Sequence, residues 1–451
     1  MRSILRGLVV AVFLIVPSIC SAQMGSLRAG AAKVDISPTK DMFPFNSGQN
    51  FYDVHDPIYA RALVLDNGAS KVAFIAVENT TLANPDELVK AVTAELKIPA
   101  DHLIMDATHD HNAPGGGGGR GGPNPKFTAY FELLKKDIVE AARQANANLQ
   151  PARIGFGRGL AYVNTNRDEK LGVGYHMGYS PEGPSDKTVA VVEVTNAAGA
   201  PIAIYANYAV HGVVMFRVHS EDGQIQVTGD LPGWTSNYVE DHFKGTVALW
   251  TSGAAGDQNP LFQGDYNQDG PDVHDEGAGA WSLLDVQSRR LGEEVVRVAK
   301  NIQNTTDKVV LWGGATTVTC PGQVRAEAPA PGVGGGGYKA PDPATIKMKD
   351  ADPVGIPLTL VMVNDIAFAG VAGEVFTEIG EHVKKDSLFD HTLMVTLLPN
   401  DIGYIPTDKG YLLPSEKAVG NKLKPGCAEP AIVGGFKQLE TQYVPVWKAA
   451  N

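Results

Sequence analysis

Leu103–Pro114 reads LIMDATHDHNAP: an apolar run that turns polar at its end, carries His109 and His111 two residues apart, and breaks into the glycine-rich loop Gly115–Gly122. The run has the length of a buried strand, and alternate side chains of a strand share one face, so the spacing predicts that the two imidazoles point together. Neutral imidazole is the commonest protein ligand for a metal, and a pair on a stiff strand lowers the entropy of assembling a site. Taken alone, the pair is better described as two polar residues at a half-exposed strand end. The rest of the chain has to decide.

The same ending recurs. Lys71–Val77 runs into Glu78-Asn79, and Pro201–Val210 into His211-Gly212. Thr246–Trp250 leads to the loop TSGAAGDQNP with Asp257 and Asn259, Val361–Ala372 to Gly373-Glu374, and Leu393–Leu398 to PNDIGY with Asp401 and Tyr404. In α/β folds, ligands lie beyond the carboxyl ends of strands, where loops converge over a rigid sheet. Side by side, these ends would gather His109, His211, Glu374 and Tyr404 around one point. Two imidazoles and a carboxylate make a catalytic zinc set that leaves room for water and substrate.

Between these strands the punctuation is regular. Ala60–Leu65 and Lys71–Val77 flank Asp66-Asn67-Gly68 and read as a hairpin. Asn84-Pro85 opens a helix with apolar residues at Leu88, Val89, Val92 and Leu96. Further helical patterns cover about Phe127–Ala145, Trp281–Ile302 and Glu429–Leu439. Gly115–Gly122 lacks the lysine and hydroxyl of a phosphate-binding loop. Gln323–Pro357 is rich in Pro, Gly and Ala, includes Gly334–Gly337, and reads as a surface insertion, with a flap over the site as the alternative. Interleaved strands and helices predict an α/β or α+β fold, a mixed sheet flanked by helices with its site at the carboxyl ends of strands.

Met1–Ala22 has the three parts of a secretory signal: Arg2 and Arg6, the apolar run Leu8–Val16, and Ser21-Ala22 before Gln23. Its apolar core is too short to span a bilayer. The expected organisation is therefore a cleaved leader, residues 1–22, and a single catalytic domain, residues 23–451, secreted or periplasmic, with no transmembrane segment. The net charge is −12, and removing a leader with two arginines and no acid makes it more negative. Such a surface repels nucleic acid and anionic lipid. Beyond the leader only Cys320 and Cys427 remain. An oxidising compartment permits a bridge between them, and two free buried thiols is the other reading.

Together ATHDHNAPGG, the strand end AVHG, the loop SGAAGDQNP, GEVF and GYIPT resemble the catalytic domain of neutral ceramidases, in order, from about Ala29 to the C-terminus. That family consists of secreted, zinc-dependent amidases. The resemblance implies zinc held by His109, His211, Glu374 and Tyr404, with His111 facing the substrate and Arg167, in VNTNRDEK, contacting it. Two departures stand out. Asp168 follows the arginine where the family has serine, and the family's GDVSP loop, whose serine is assigned to the active site, reads Gly256-Asp257-Gln258-Asn259-Pro260. Asn259 cannot become an alkoxide nucleophile, but an amide can donate a hydrogen bond to an oxyanion. Long family members also carry a C-terminal β-sandwich domain that this sequence does not include, so an N-acyl compound other than ceramide, small or lipid-like, is the expected substrate.

The expected function is amide hydrolysis by zinc-activated water, with His111 carrying the proton and Arg167 and Asn259 steadying the oxyanion or the polar head. A zinc esterase or peptidase-like hydrolase, and a non-catalytic zinc-containing binding protein, are the alternatives. A second cofactor, calcium, is suggested by Asp265, Asn267, Asp269 and Glu276, which have EF-hand spacing. No periodic helix precedes them, and a solvated acidic turn is the competing reading.

Overall fold

Phe74 sits where two sheets meet, its ring 4.4 Å from Phe368 and 5.5 Å from Tyr205. The computed structural model describes residues 23–46, 49–115, 125–171, 174–266, 274–326, 347–412 and 421–450. The leader-like segment and Gly334–Gly337 lie outside them.

The chain enters on β1 (Arg28–Asp35) and makes the hairpin of β2 (Tyr59–Asp66) and β3 (Lys71–Val77) around the Asp-Asn-Gly turn. Helix α1 (Pro85–Leu96) returns the chain so that β4 (Leu103–Ala107) lies parallel to β3. After α2 (Pro125–Ala147) come β5 (Gln150–Leu160), β6 (Asn164–Leu171), β7 (Gly174–Ser180), β8 (Thr188–Asn196) and β9 (Pro201–Tyr208). Helix α3 (Asp230–His242) carries the chain to β10 (Val247–Ser252), parallel to β9, and then to the short β11 (Gln258–Pro260). Beyond α4 (Ala280–Lys300), β12 (Leu311–Arg325), β13 (Met348–Val363) and β14 (Ile366–Val371) form an antiparallel meander. Finally β15 (Glu374–Val375), α5 (Thr377–Asp386), β16 (His391–Val395), β17 (Tyr404–Ile405) and α6 (Ala428–Ala450) complete the fold.

The large mixed sheet runs β10-β9-β8-β5-β1-β2-β3-β4, and the smaller one β12-β13-β14-β16. Their facing surfaces make one core, where Phe74, Ile104, Val192 and Leu249 meet Val361, Phe368 and Val395. Helices α1 and α2 cover one half of the large sheet's other face, α3 and α4 the other half, and α5 and α6 cover the small sheet. The result is an α+β stack of four layers. It explains the continuous apolar runs: in β3, Val72, Phe74 and Ala76 face the second sheet while Ala73, Ile75 and Val77 face the helices, so no position is left for a polar side chain.

Four expectations change. The strand of the opening motif stops at Ala107, and His109 takes a left-handed φ of 63°. The two histidines therefore converge through a turn, not through strand alternation. Val361–Ala372 is not one strand but the end of β13 and β14, turned at Asn364 (φ 55°), whose side chain accepts from Val310 N and donates to Lys308 O. Gln323–Pro357 is only in part an insertion: Gln323–Arg325 pairs with Met348–Asp350, and the strand continues through Pro357 opposite Thr317. Its residues Lys349–Pro353 are all exposed and burial begins only at Ile356, so the stretch carries no apolar signal. The last helix is longer than expected, because Tyr443 keeps packing on the small sheet. Cys320 and Cys427 are disulfide-bonded and tie β12 to the start of α6.

Candidate metal centre

The strand ends do gather at one edge of the stack, held there by backbone bonds between loops. Thr108 N donates to Val77 O, Gly253 N to Tyr208 O, Thr396 N to Ser252 O, and Asp110 bridges to Gly212. Gly256 lets the β10–β11 loop reach the two-stranded ladder of β15 and β17. Its N–H donates to Val375 O, and a Cβ there would stand 2.5 Å from Glu374 O.

His109 and His211 are buried, and each is oriented by a carbonyl. His109 Nδ1 donates to Thr80 O at 2.9 Å and His211 Nδ1 to Gln258 O at 3.1 Å. With the ring proton spent at Nδ1, each neutral imidazole presents a bare Nε2. Both of these atoms face the same carboxylate oxygen, Glu374 Oε2, at 3.2 Å from His109 and 3.3 Å from His211. His111, half-buried and against Phe216, places its Nε2 3.2 Å from His109 Nε2. With both rings neutral, acceptors face acceptors in this buried pocket, an arrangement that a cation resolves, whether a metal ion or the second ring proton that Glu374 favours on His109. The donor types, imidazole nitrogen and carboxylate oxygen, are those zinc takes.

For two of the three rings the electrostatics agree. Burial, then the neighbouring His109 and His211 rings, hold the His111 imidazole well below its usual range. Burial, then Arg167 and His109, lower that of His211 to about 3. Both rings therefore stay neutral and able to ligate. Burial alone would lower His109 too, but the Glu374 carboxylate outweighs it and raises the ring. Burial would raise Glu374, yet the two imidazoles hold it well below the carboxylate range. Asp401, next to this cluster, is pushed up to about 6 by burial and then by the charge of Glu374.

Arg167 and Tyr404 form the adjoining wall. Parallel pairing of β15 and β17 sets Tyr404 beside Glu374, and the Tyr404 hydroxyl accepts from Arg167 Nη2 at 2.9 Å. The guanidinium also donates to Gly256 O at 2.8 Å and to Asn259 Oδ1 at 3.1 Å, while Asn259 Nδ2 donates to Gln263 Oε1 at 3.3 Å. All seven residues expected at the active site therefore fall in this one region.

Several supports were given no role by the sequence, although Asp257 and Glu78 stand out there as polar strand ends. Asp257, buried, accepts from Thr377 N at 2.9 Å and Thr377 Oγ1 at 2.8 Å with one oxygen, and from Asn166 Nδ2 at 2.9 Å with the other. Its carbonyl accepts from Arg167 N. One residue thus joins the strand of Arg167, the loop of Asn259 and the first turn of the helix after Glu374. Beneath β3, the buried Arg61 pairs with Glu78 and Glu240 and donates to Asn237 Oδ1, steadying the strand end from which Thr80 orients His109.

Among the described residues, His109, His111 and His211 are the one group of three His, Cys, Asp or Glu whose ligand atoms lie within 4.8 Å of one another. Of the suggested calcium loop, Asp265 and Glu276 line a common cavity, and Asn267 and Asp269 lie outside the described residues.

The chain resembles known proteins in sequence and in fold. It is 26% identical over 259 residues to the neutral ceramidase of Pseudomonas aeruginosa, an alignment covering 52% of this chain and 37% of that protein. The crystal structure of neutral ceramidase from Pseudomonas aeruginosa superposes with a TM-score of 0.71 at 17% identity, over 92% of this chain and 75% of that one. A ceramidase complexed with C2 gives 0.68 at 16% identity, over 92% and 74% of the two chains. Residues 42–277, just over half of the chain, match the family model for the N-terminal part of neutral/alkaline non-lysosomal ceramidase. With that match added to the fold, the chain belongs to the neutral/alkaline non-lysosomal ceramidase family.

Proposed function

We propose that this chain is an exported, zinc-dependent hydrolase of N-acyl amides. The observation that carries the reading is the pair of carbonyl-oriented imidazoles, His109 and His211, aiming bare Nε2 atoms at the Glu374 carboxylate. Tyr404, set beside Glu374, is the fourth ligand in this reading. A zinc ion held there supplies Lewis acidity toward a carbonyl and toward water.

The protein's own groups do the rest. His111 is the least buried of the three imidazoles and is kept neutral, so its Nε2 can take a proton from attacking water and pass it to the leaving amine. Arg167 stays charged and fixed by three acceptors, Gly256 O, Asn259 Oδ1 and the Tyr404 hydroxyl, and steadies charge developing on the carbonyl oxygen. Asn259 stands where the family has serine and holds the guanidinium from one side, and its second amide N–H is a further donor. Charged groups that need no reorganisation during the reaction are worth most in a water-poor site.

Export has two supports: the leader-like Met1–Ala22 and the Cys320–Cys427 disulfide, a bond that persists in oxidising compartments. Among the described residues no helix is long and apolar enough to cross a membrane. The test is a panel of fluorogenic N-acyl amides and esters offered to zinc-loaded and chelator-stripped protein. Amide hydrolysis that follows zinc content is the expected result. Full turnover after removal of all metal refutes the zinc reading, and ester cleavage without amide cleavage refutes the amidase reading.

A further inference from the structure

Among the described residues, four that are neither glycine, asparagine nor aspartate take a left-handed φ: Lys97, His109, Arg217 and Leu397. Lys97 caps the end of α1, where that conformation is routine. The other three gather at the metal centre and its rim. Leu397 lines the same pocket as His109, and Arg217 is tied to His111 in two ways. Gln49, buried, donates from Nε2 to His111 O at 2.9 Å and accepts from Arg217 N at 3.1 Å with its Oε1. The Phe216 ring stands at 75° to the His111 imidazole, 5.2 Å between centres, and the Arg217 guanidinium lies over the Phe216 ring, 4.9 Å from its centre. Val218 N donates to Met215 O, so Arg217 is the third residue of a tight turn, a place that glycine fills without strain. Glycine would meet the needs of the turn, so what the position supplies is the side chain. That side chain is half-buried, yet among the described residues its guanidinium makes no hydrogen bond and no ion pair. Arg61, Arg143, Arg289 and Arg297, by contrast, each hold a carboxylate. Strained backbone gathers where function holds a residue in place.

We propose that Arg217 receives an oxyanion, a carboxylate or a phosphate, carried on the amine half of the substrate, so that the chain hydrolyses N-acyl compounds with an acidic head in preference to uncharged ones. This rests on the hydrolase reading above. In that reading His111 passes a proton to the leaving amine, so the amine half lies against His111, and Phe216 and Arg217 are the groups it meets next. Water adds to the acyl carbon, the C–N bond breaks, and the amine leaves with its oxyanion intact. A guanidinium offers a planar fork of donors that fits a carboxylate or a phosphate with two parallel bonds, and the aromatic face beneath it holds the fork without neutralising it. Arg167, the other cation at the site, is already committed to Gly256 O, Asn259 and Tyr404. The cavity beyond Asn259 is lined by Glu169, Asp265 and Glu276, carboxylates that repel the same oxyanion.

The test compares kcat/KM of the zinc-loaded protein on two matched pairs, with released laurate as the readout: N-lauroylglycine against N-lauroylglycinamide, and O-phosphorylated N-lauroylethanolamine against N-lauroylethanolamine. At least one charged member is expected to be preferred by at least about tenfold, the worth of a charge-assisted pair, and the pair that shows it tells which oxyanion is read. That ratio should fall at least about tenfold in Arg217→Gln, survive in part in Arg217→Lys, which keeps the charge without the fork, and shrink as salt is added. Equal rates within both pairs, or preference for the uncharged members, overturn the proposal on native protein alone, whether or not a variant folds. So does an Arg217→Gln protein that binds zinc and keeps the native ratio. Cleavage of the uncharged members alone leaves the hydrolase reading standing without this one, whereas a protein that cleaves no N-acyl amide refutes both.

Discussion

Glu374→Gln isolates what one charge does at the centre. The amide has the size of the carboxylate, so packing is kept, but its NH₂ group would donate to the bare Nε2 atoms of His109 and His211, which now lie 3.2 and 3.3 Å from Glu374 Oε2. The apo site becomes a satisfied hydrogen-bonded cluster and the incoming ion loses its anionic ligand. Losing a partner that merely orients a ligand costs ~10–100-fold in metal affinity, so loss of the ligand itself should cost at least the upper figure. With free zinc at a thousandfold excess over the native Kd, binding stabilises the native fold by ~4.1 kcal/mol; a hundredfold weaker variant would gain only about 1.4 kcal/mol. The assay pairs competition against a chromophoric chelator with urea unfolding in zinc and in chelator. A Glu374→Gln protein that binds zinc as tightly as native, or whose stability responds equally to zinc, refutes the assignment of this cluster as the metal centre.

Asp257→Asn should cost about 2–3 kcal/mol in urea unfolding and lower kcat while zinc content stays native, since it sets an amide donor against Asn166 Nδ2 and removes the negative charge at the first turn of α5; unchanged stability would contradict it. Glu193→Gln tests burial. Burial holds the Glu193 carboxyl up at about 7 against 4.5 when unfolded, so the native protein loses stability as pH rises from about 4.5 to about 7 and no further above it, and the variant should be about 1 kcal/mol more stable at pH 8, after allowance for solvent screening, yet equal at pH 4. Urea midpoints at the two pH values check this. Cys320→Ser opens a bridge spanning 107 residues and should cost about 2–5 kcal/mol, read as a lowered denaturation midpoint that reductant no longer shifts.

The residues that would meet the ion were legible because each closes an apolar run: His109, His211 and Glu374 all follow strands with both faces covered, where a polar residue has no reason to appear before the strand ends. Helix α1 was legible through its Asn-Pro start and its spaced leucines. Helix α3 was not, because its buried first turn, Asp-Leu-Pro-Gly, combines a charge with two helix-disfavouring residues and is held by tertiary bonds from Asp230 to Val214 N and Met215 N. The orienting groups of Thr80 and Gln258 are main-chain carbonyls, which any residue supplies, so no side-chain pattern could announce them. The left-handed turn at His109 was hidden for the same reason: it is imposed by Thr108 N on Val77 O and by the bridge from Asp110 to Gly212, contacts between segments distant in sequence.

The two imidazoles hang from the large sheet, through β4 and β9, whereas the carboxylate and the phenol sit on the ladder of β15 and β17, which follow β14 and β16 of the small one. An ion seated between them would act as a rivet through two plates that otherwise meet across greasy side chains such as Phe74 and Phe368 and across scattered bonds such as Thr396 N to Ser252 O. Its loss would free one plate to swivel against the other, so amide exchange deep in that seam, far from any substrate, should report on whether the centre is filled.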